Sequence, residues 1–210
     1  MKKRLHFVIT AGPTREFMDP VRFLSNPSTG KMGFAVARAA VRAGHEVTLV
    51  AGPVALKTPH GVKRVDVVSA REMFAAATES VTPGCVFVAT AAVADWRPAE
   101  CAGKKLKKTE MSDVIKLVRN PDILKSVGGC VKIGFAAETN DVLKEASRKC
   151  REKNLAMIVA NDVTEKGAGF GSDTNRVVFV YPDGRKEPLK KMSKLAVAGR
   201  IVRACENICS

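Results

Sequence analysis

Cys85–Ala94 reads CVFVATAAVA, ten residues without a charge, and the chain then turns polar at Asp95-Trp96-Arg97-Pro98. A continuous apolar run without alternation is what a strand buried on both faces of a parallel sheet requires. Outward from it lie more short runs rich in β-branched residues: Leu5–Thr10 (LHFVIT), Glu46–Val50 (EVTLV), Lys63–Val68 (KRVDVV), Ile133–Ala137 and Ala156–Ala160. Helical patterns separate them. Gly33–Ala43 (GFAVARAAVRA) repeats apolar residues at spacings of three and four, and Asp141–Lys153 is amphipathic. Ser69–Ser80 begins with Ser69 as a cap and Glu72 three residues later, the pattern of a capping box. The alternation predicts an α/β protein with a Rossmann-like, doubly wound, mainly parallel sheet. After Asp173 the pattern changes. Arg176–Tyr181 and Arg185–Leu189 flank Pro182-Asp183-Gly184, a hairpin signal, and a last helix runs from about Lys194 to Glu206 behind Ser193. No internal repeat or linker divides residues 1–210, so one domain is expected.

At 210 residues and 46% hydrophobic content the chain is too apolar for a disordered tail. Thirty-five Lys and Arg against 21 Asp and Glu leave a net charge of +14, which suits polyanionic partners: nucleic acid, an acidic membrane or phosphorylated small molecules. No apolar run approaches the length of a membrane span. Met1–Thr10 imitates a secretory signal, but its apolar part is short and Gly12-Pro13-Thr14-Arg15-Glu16 follows at once, so a first strand and a cytoplasmic location are expected. The six cysteines form no Cys-x-x-Cys pair and lie far in sequence from the three histidines, against a zinc site.

Two stretches, Ala11–Met32 and Arg97–Ser112, break the regular pattern, and both follow strands, where ligands bind in open α/β sheets. The first carries Gly12 and then Ser28-Thr29-Gly30 ahead of a helix, a source of backbone N–H groups for phosphate. Two phosphate fingerprints fail there. Gly-x-Gly-x-x-Gly is missing after the first strand, and a P-loop would need Gly at position 25 and Ser or Thr at 32, where Ser25 and Met32 stand. A polar loop capping the helix is the alternative. Asp95, at the end of the most apolar strand, suits either a ribose hydroxyl, a phosphate-bound Mg²⁺, or a plain turn cap. Gly103–Lys108 holds four lysines, a polyphosphate flap or a solvated basic loop. Lys149 and Lys153 share a helix face, where they repel unless an anion or solvent intervenes. Asn120-Pro121-Asp122-Ile123 is turn-like, Phe135 is either a base-stacking ring or core, and Gly167–Gly171 is a weak glycine-rich signal.

Together these segments resemble the phosphopantothenate–cysteine ligases, the CoaB half of the bacterial CoaBC proteins. The resemblance is carried, in family order, by ITAGPTRE (9–16), VRFLSNPSTGKMG (21–33), AAVADWRP (91–98), KLKK (105–108), NPDI (120–123), GFAAET (134–139) and ANDV (160–163). It implies a CTP-dependent ligation of 4′-phosphopantothenate with L-cysteine through an acyl-cytidylate, with Mg²⁺ accompanying the nucleotide. It implies Asn26 as the amide that polarises the acyl-cytidylate and Lys105 as the flap lysine that neutralises phosphate charge. Nucleotide contacts fall on Asp95, Asn120, Pro121, Asp122, Ile123, Phe135, Lys149 and Lys153. More loosely, Gly12, Ser28, Thr29 and Gly30 hold phosphate. A homodimer is implied, with the C-terminal hairpin as an interface element. The flavin-dependent decarboxylase half is not in this sequence, so no FMN and a separate decarboxylase are expected. Polyanionic substrates account for the charge without nucleic acid or membrane. A nucleic-acid-binding protein is disfavoured by the single Trp and single Tyr, and a nicotinamide-dependent reductase by the missing glycine fingerprint and the lack of a Tyr-x-x-x-Lys pair.

Overall fold

The computed structural model describes residues 3–107, 114–138, 141–162 and 171–210, with backbone alone at 137, 138 and 162. In chain order its elements are β1 (His6–Ala11), β2 (Arg15–Phe17), β3 (Phe23–Ser25), α1 (Lys31–Arg42), β4 (Glu46–Ala51), β5 (Lys63–Asp66), α2 (Ala70–Ser80), β6 (Val86–Ala89), β7 (Trp96–Pro98), β8 (Leu117–Arg119), α3 (Ile123–Ser126), β9 (Val131–Glu138), α4 (Val142–Glu152), β10 (Met157–Asp162), β11 (Thr174–Asn175), β12 (Val178–Val180), β13 (Lys186–Pro188), β14 (Met192–Ser193) and α5 (Lys194–Ile208). Lys108, Ser112, Thr139, Val163 and most of the Gly167–Gly171 loop lie outside the described residues.

Eight strands form one sheet in the order β13-β12-β10-β9-β6-β1-β4-β5. The six strands from β10 to β5 are parallel, and the two of the hairpin extend the sheet antiparallel from β10. Counted along the chain, the parallel strands run 3-2-1-4-5-6, the doubly wound order with its switch point between β1 and β6. Alternate strand residues face opposite layers. Phe7, Ile9, Val88, Met157 and Val159 pack with Phe34, Val36 and Ala40 of α1 and with Val197, Ile201 and Val202 of α5. Val8, Val50 and Phe87 meet Met73 and Ala77 of α2 on the other face, where Ile158 and Ala160 also meet Ala146 and Cys150 of α4.

The expected helix caps form. Ser69 caps α2 by accepting from the Glu72 N–H, and Glu72 returns the bond to the Val68 N–H at 2.8 Å, one residue before the cap. Ser193 caps α5 through the Ala196 N–H. The apolar run 85–94, expected as one strand, is a strand only over β6. Beyond Ala89 its backbone bonds first to the end of β1 and then to the loop that follows β1. Thr90 N–H donates to Thr10 O, Ala92 N–H to Gly12 O, and Ala94 N–H to Thr14 Oγ1. The residues between 11 and 32 also contain a short hairpin, β2–β3, which the sequence reading left irregular.

Candidate active site

The loop leaving β1 and the loop leaving β6 run side by side past the switch point, joined by a parallel bridge between Pro13 and Ala92. Asn26 stitches them to the β2–β3 hairpin. Its Nδ2 donates to Ala92 O at 3.0 Å and Val93 O at 3.3 Å, and Ser25 Oγ donates to Thr14 O at 2.7 Å. The amide expected to face an oxyanion is therefore spent, in this conformation, on fixing the wall of the site.

The glycine fingerprint missing from the sequence is present in three dimensions. Gly12 ends β1 at φ +81°, and Gly30 starts α1 at φ +75°, a left-handed conformation that favours glycine. A Cβ on Gly30 would lie 3.4 Å from Gly12 Cα. Gly33, in the first turn of α1, lies so close to β1 that a Cβ would fall 2.5 Å from Ala11 Cβ. The β2–β3 hairpin inserted between Gly12 and Gly30 breaks the linear spacing and leaves the spatial arrangement intact.

Two cavities flank this wall and share Ala91, Ala92 and Phe135. The larger, about 690 Å³, is lined by Asp95, Asn120, Pro121, Asp122, Ile123, Phe135, Lys149 and Lys153. Every nucleotide contact implied by the resemblance except Lys105 meets there, drawn from the ends of β6, β8 and β9 and from α4. Asn120 is locked by its Nδ2 to Ala94 O and by Arg97 to its Oδ1. Asp122 caps α3 and receives Lys153 Nζ at 2.8 Å. Burial pushes its carboxyl up, but the Lys153 bond, the Lys125 N–H and the two lysine charges outweigh burial and hold it below its usual value. Lys153 thus already has a counter-ion, which a reading of the lysine pair alone could not supply. Asp95 and Trp96 stand exposed at the mouth, with the Arg119 guanidinium 4.9 Å from the Trp96 ring centre.

The smaller cavity, about 130 Å³, is lined by Ser28, Thr29 and Gly30 at the start of α1 and, from the far side, by Asn161, Asn175 and Lys194. Asn161 lies in the quoted ANDV stretch; Asn175, just before the expected strand Arg176–Tyr181, and Lys194, at the start of the last helix, carried no functional signal in the sequence. Lys194 is 7% exposed, and burial, with Lys31 nearby, lowers its affinity for the proton against the pull of Asp173.

Lys105 lies apart from both cavity linings, exposed on the loop after β7. The loop's base is anchored by a residue the sequence did not single out. Asp19 is 0% exposed and accepts from Val21 N, Arg22 N, the Arg22 guanidinium and Leu106 N, while Arg22 also donates to Leu106 O at 2.8 Å. The Arg22 bond, helped by the backbone donors and opposed by burial, holds the Asp19 carboxyl far below the carboxylate range.

Among the described residues no three His, Cys, Asp or Glu side chains converge on a possible metal position, and all six cysteines are free thiols. Of the two carboxylates lining the larger cavity Asp122 is paired with Lys153, so Asp95 suits a cation delivered by phosphate oxygens better than a resident ion. No helix among the described residues is long and apolar enough to cross a membrane.

Residues 2–208 match the family model of the DNA/pantothenate metabolism flavoprotein C-terminal domain. The coenzyme A biosynthesis bifunctional protein CoaBC of Vibrio vulnificus (strain YJ016) is 47% identical over 208 residues, covering 96% of this chain and 52% of that protein. The chain spans about half the length of the curated relatives it matches. A crystal structure of the C-terminal domain of a CoaBC protein superposes with a TM-score of 0.81 at 41% identity, over 97% of this chain and 95% of the other. A Cab2 mutant in complex with phosphopantothenate-cysteine shares the fold at a TM-score of 0.79 and 16% identity, over 98% of this chain and 87% of the other.

Proposed function

This chain belongs to the family of the DNA/pantothenate metabolism flavoprotein C-terminal domain, and on that premise we propose that it ligates 4′-phosphopantothenate to L-cysteine with CTP. The observation that carries the reading is the larger cavity. It gathers acidic, basic, amide and aromatic side chains from four separate chain segments at the switch point of the sheet, where α/β folds bind nucleotides.

The chemistry runs in two steps. The pantothenate carboxylate attacks the α-phosphorus of CTP, pyrophosphate leaves, and an acyl-cytidylate forms. The cysteine amine then attacks the acyl carbon, CMP leaves, and the amide bond remains, the ammonium having lost its protons to solvent. Activation is needed because a carboxylate is a poor acyl donor. Lys149, Lys153 and the Asn120–Ile123 turn hold the nucleotide, with the Phe135 ring against its base or ribose. Asp95 would hold the Mg²⁺ that accompanies the phosphates, a cation whose charge would neutralise the pyrophosphate leaving group. Ser28, Thr29, Gly30 and Gly12 offer N–H and hydroxyl donors to phosphate. Lys105 reaches the phosphates by movement of its loop. Asn26 acts first by holding the Ala92–Val93 wall, and in the second step by turning an N–H toward the acyl oxygen. We place the enzyme in the cytoplasm as a homodimer that uses the exposed β12–β13 edge.

The test is pyrophosphate release from CTP and 4′-phosphopantothenate, with and without L-cysteine, beside thermal stabilisation by CTP, NADPH and single-stranded DNA. The reading requires slow or single-turnover release without cysteine and steady turnover with it. Stabilisation by NADPH or DNA alone, with no pyrophosphate released, would overturn it.

A further inference from the structure

Asn175, one of the residues lining the smaller cavity, carries a buried polar atom that the fold leaves unsatisfied. Asn175 is 4% exposed, and its Oδ1 is the one buried side-chain N or O atom among the described residues without a hydrogen-bond partner. A buried acceptor without a donor is costly, and native proteins rarely keep one without a use. Asn175 sits on β11, which pairs with β14 and stands outside the main sheet. Across the cavity lies the start of α1, a twelve-residue helix whose N-cap residue, Gly30, has no side chain to cap it. Its N-terminal N–H groups attract an anion, and the buried amine of Lys194 adds a cationic donor to the same lining. The cavity thus presents the helix start on one side and, opposite it, the Lys194 ammonium together with an acceptor that calls for a ligand O–H or N–H. At about 130 Å³ it takes a phosphate and a few further atoms, not a whole nucleotide.

We infer that Asn175 is a ligand-recognition residue, accepting a hydrogen bond from the O–H or N–H nearest a phosphate group bound at the start of α1. The inference rests on the ligase reading above, which supplies two compounds with that chemistry. In 4′-phosphopantothenate the phosphate is followed by a hydroxyl and an amide N–H. In CTP the phosphates are followed by ribose hydroxyls. Sequence position had hidden the residue: Asn175 lies in a polar stretch that resembles an ordinary turn, and only tertiary packing carries it across to α1.

The experiment is isothermal titration of the full chain with CTP and, separately, with 4′-phosphopantothenate, for the unmodified protein, Asn175→Leu and Asn175→Ala. Leucine nearly matches the shape of asparagine and removes the acceptor. The result expected is an affinity about tenfold weaker for one of the two compounds, in line with a lost hydrogen bond, and within about twofold for the other; the compound affected identifies the phosphate source. Without ligand, the Leu variant should melt no lower than the unmodified chain, because an unpaired acceptor has been removed. If Leu does not fold, the Ala variant is read in its place. Unchanged affinity for both compounds would overturn the inference while leaving the ligase reading intact. So would equal weakening of both alongside a lower melting temperature, since that marks Asn175 as purely structural. Failure of the unmodified chain to bind either compound would instead overturn the ligase reading, and this assignment with it.

Discussion

Replacing Gly33 with alanine tests whether the close approach of α1 to β1 builds the site. The added Cβ would lie 2.4 Å from Thr90 Oγ1, 2.5 Å from Ala11 Cβ and 3.2 Å from Ala11 Cα. Carbon atoms in a packed interior sit about 3.5–4.0 Å apart, so the first turn of α1 must retreat by about 1 Å. Thr90 can rotate only by giving up its 2.6 Å bond to Thr10 O. Ala11 is held in place, paired with Ala51 of β4 and accepting from the Gly52 N–H, while β6 pairs with β1 up to the neighbouring Thr10. Overpacking of this kind costs about 1–3 kcal/mol, and the better helix propensity of alanine returns up to about 1 kcal/mol. A net loss of about 1 kcal/mol lowers the melting temperature by roughly 2–4 °C for a chain of this size. The functional loss should be far larger, since a 1 Å misplacement of a site can cost about a hundredfold in rate. Gly199→Ala is the matched control. That glycine lies inside α5 with nothing within 4 Å of its would-be Cβ, so alanine should raise stability by up to about 1 kcal/mol and leave turnover alone. The assays are thermal melting and cysteine-dependent pyrophosphate release on both variants. A Gly33→Ala protein with the melting temperature and turnover of the parent would refute the argument that this contact positions the cavities.

Four further outcomes follow from the geometry. Lys153→Met should lower stability by no more than about 1 kcal/mol, since its bond to Asp122 is partly solvated, yet weaken CTP binding severalfold in a titration. The folded Asp122 carboxyl lies below its unfolded value, so this ion pair contributes fully above the carboxylate range and is lost as pH falls through the folded value; urea midpoints of parent and variant should therefore converge below about pH 4. Asp19→Asn should release the Leu106 N–H, read as faster hydrogen exchange at that amide and lower turnover; equal exchange would remove Asp19 as the anchor of the loop. Asn26→Asp sets a carboxylate against two carbonyl oxygens, so formation of the cysteine adduct should fall more than formation of the acyl-cytidylate; full conversion to adduct would rule out its role in the second step. Lys105→Gln, on an exposed loop, should spare the melting temperature and slow pyrophosphate release at least tenfold, the scale of a lost charge-assisted contact; unchanged release would exclude the flap.

The linear sequence determined the elements. Short apolar runs and three- and four-residue periodicity are local properties of the chain, so the strands of the eight-stranded sheet, α1, the Ser69 and Ser193 caps and the Asp183-Gly184 hairpin could be read directly, as could the motifs that mark the family. Only the tertiary structure decided what those elements do together. The run 85–94 left the sheet after Ala89 because its backbone found partners at the end of β1 and in the loop that follows, and no propensity encodes a partner eighty residues away. The glycine turn was hidden by a hairpin inserted between Gly12 and Gly30, and Lys153 acquired a counter-ion from another element. Asp19 and Asn175 looked like ordinary loop polar groups until burial left one with five donors and the other with none. Hydrophobic pattern is written along the chain, whereas the satisfaction of buried polar groups depends on neighbours that folding alone brings near.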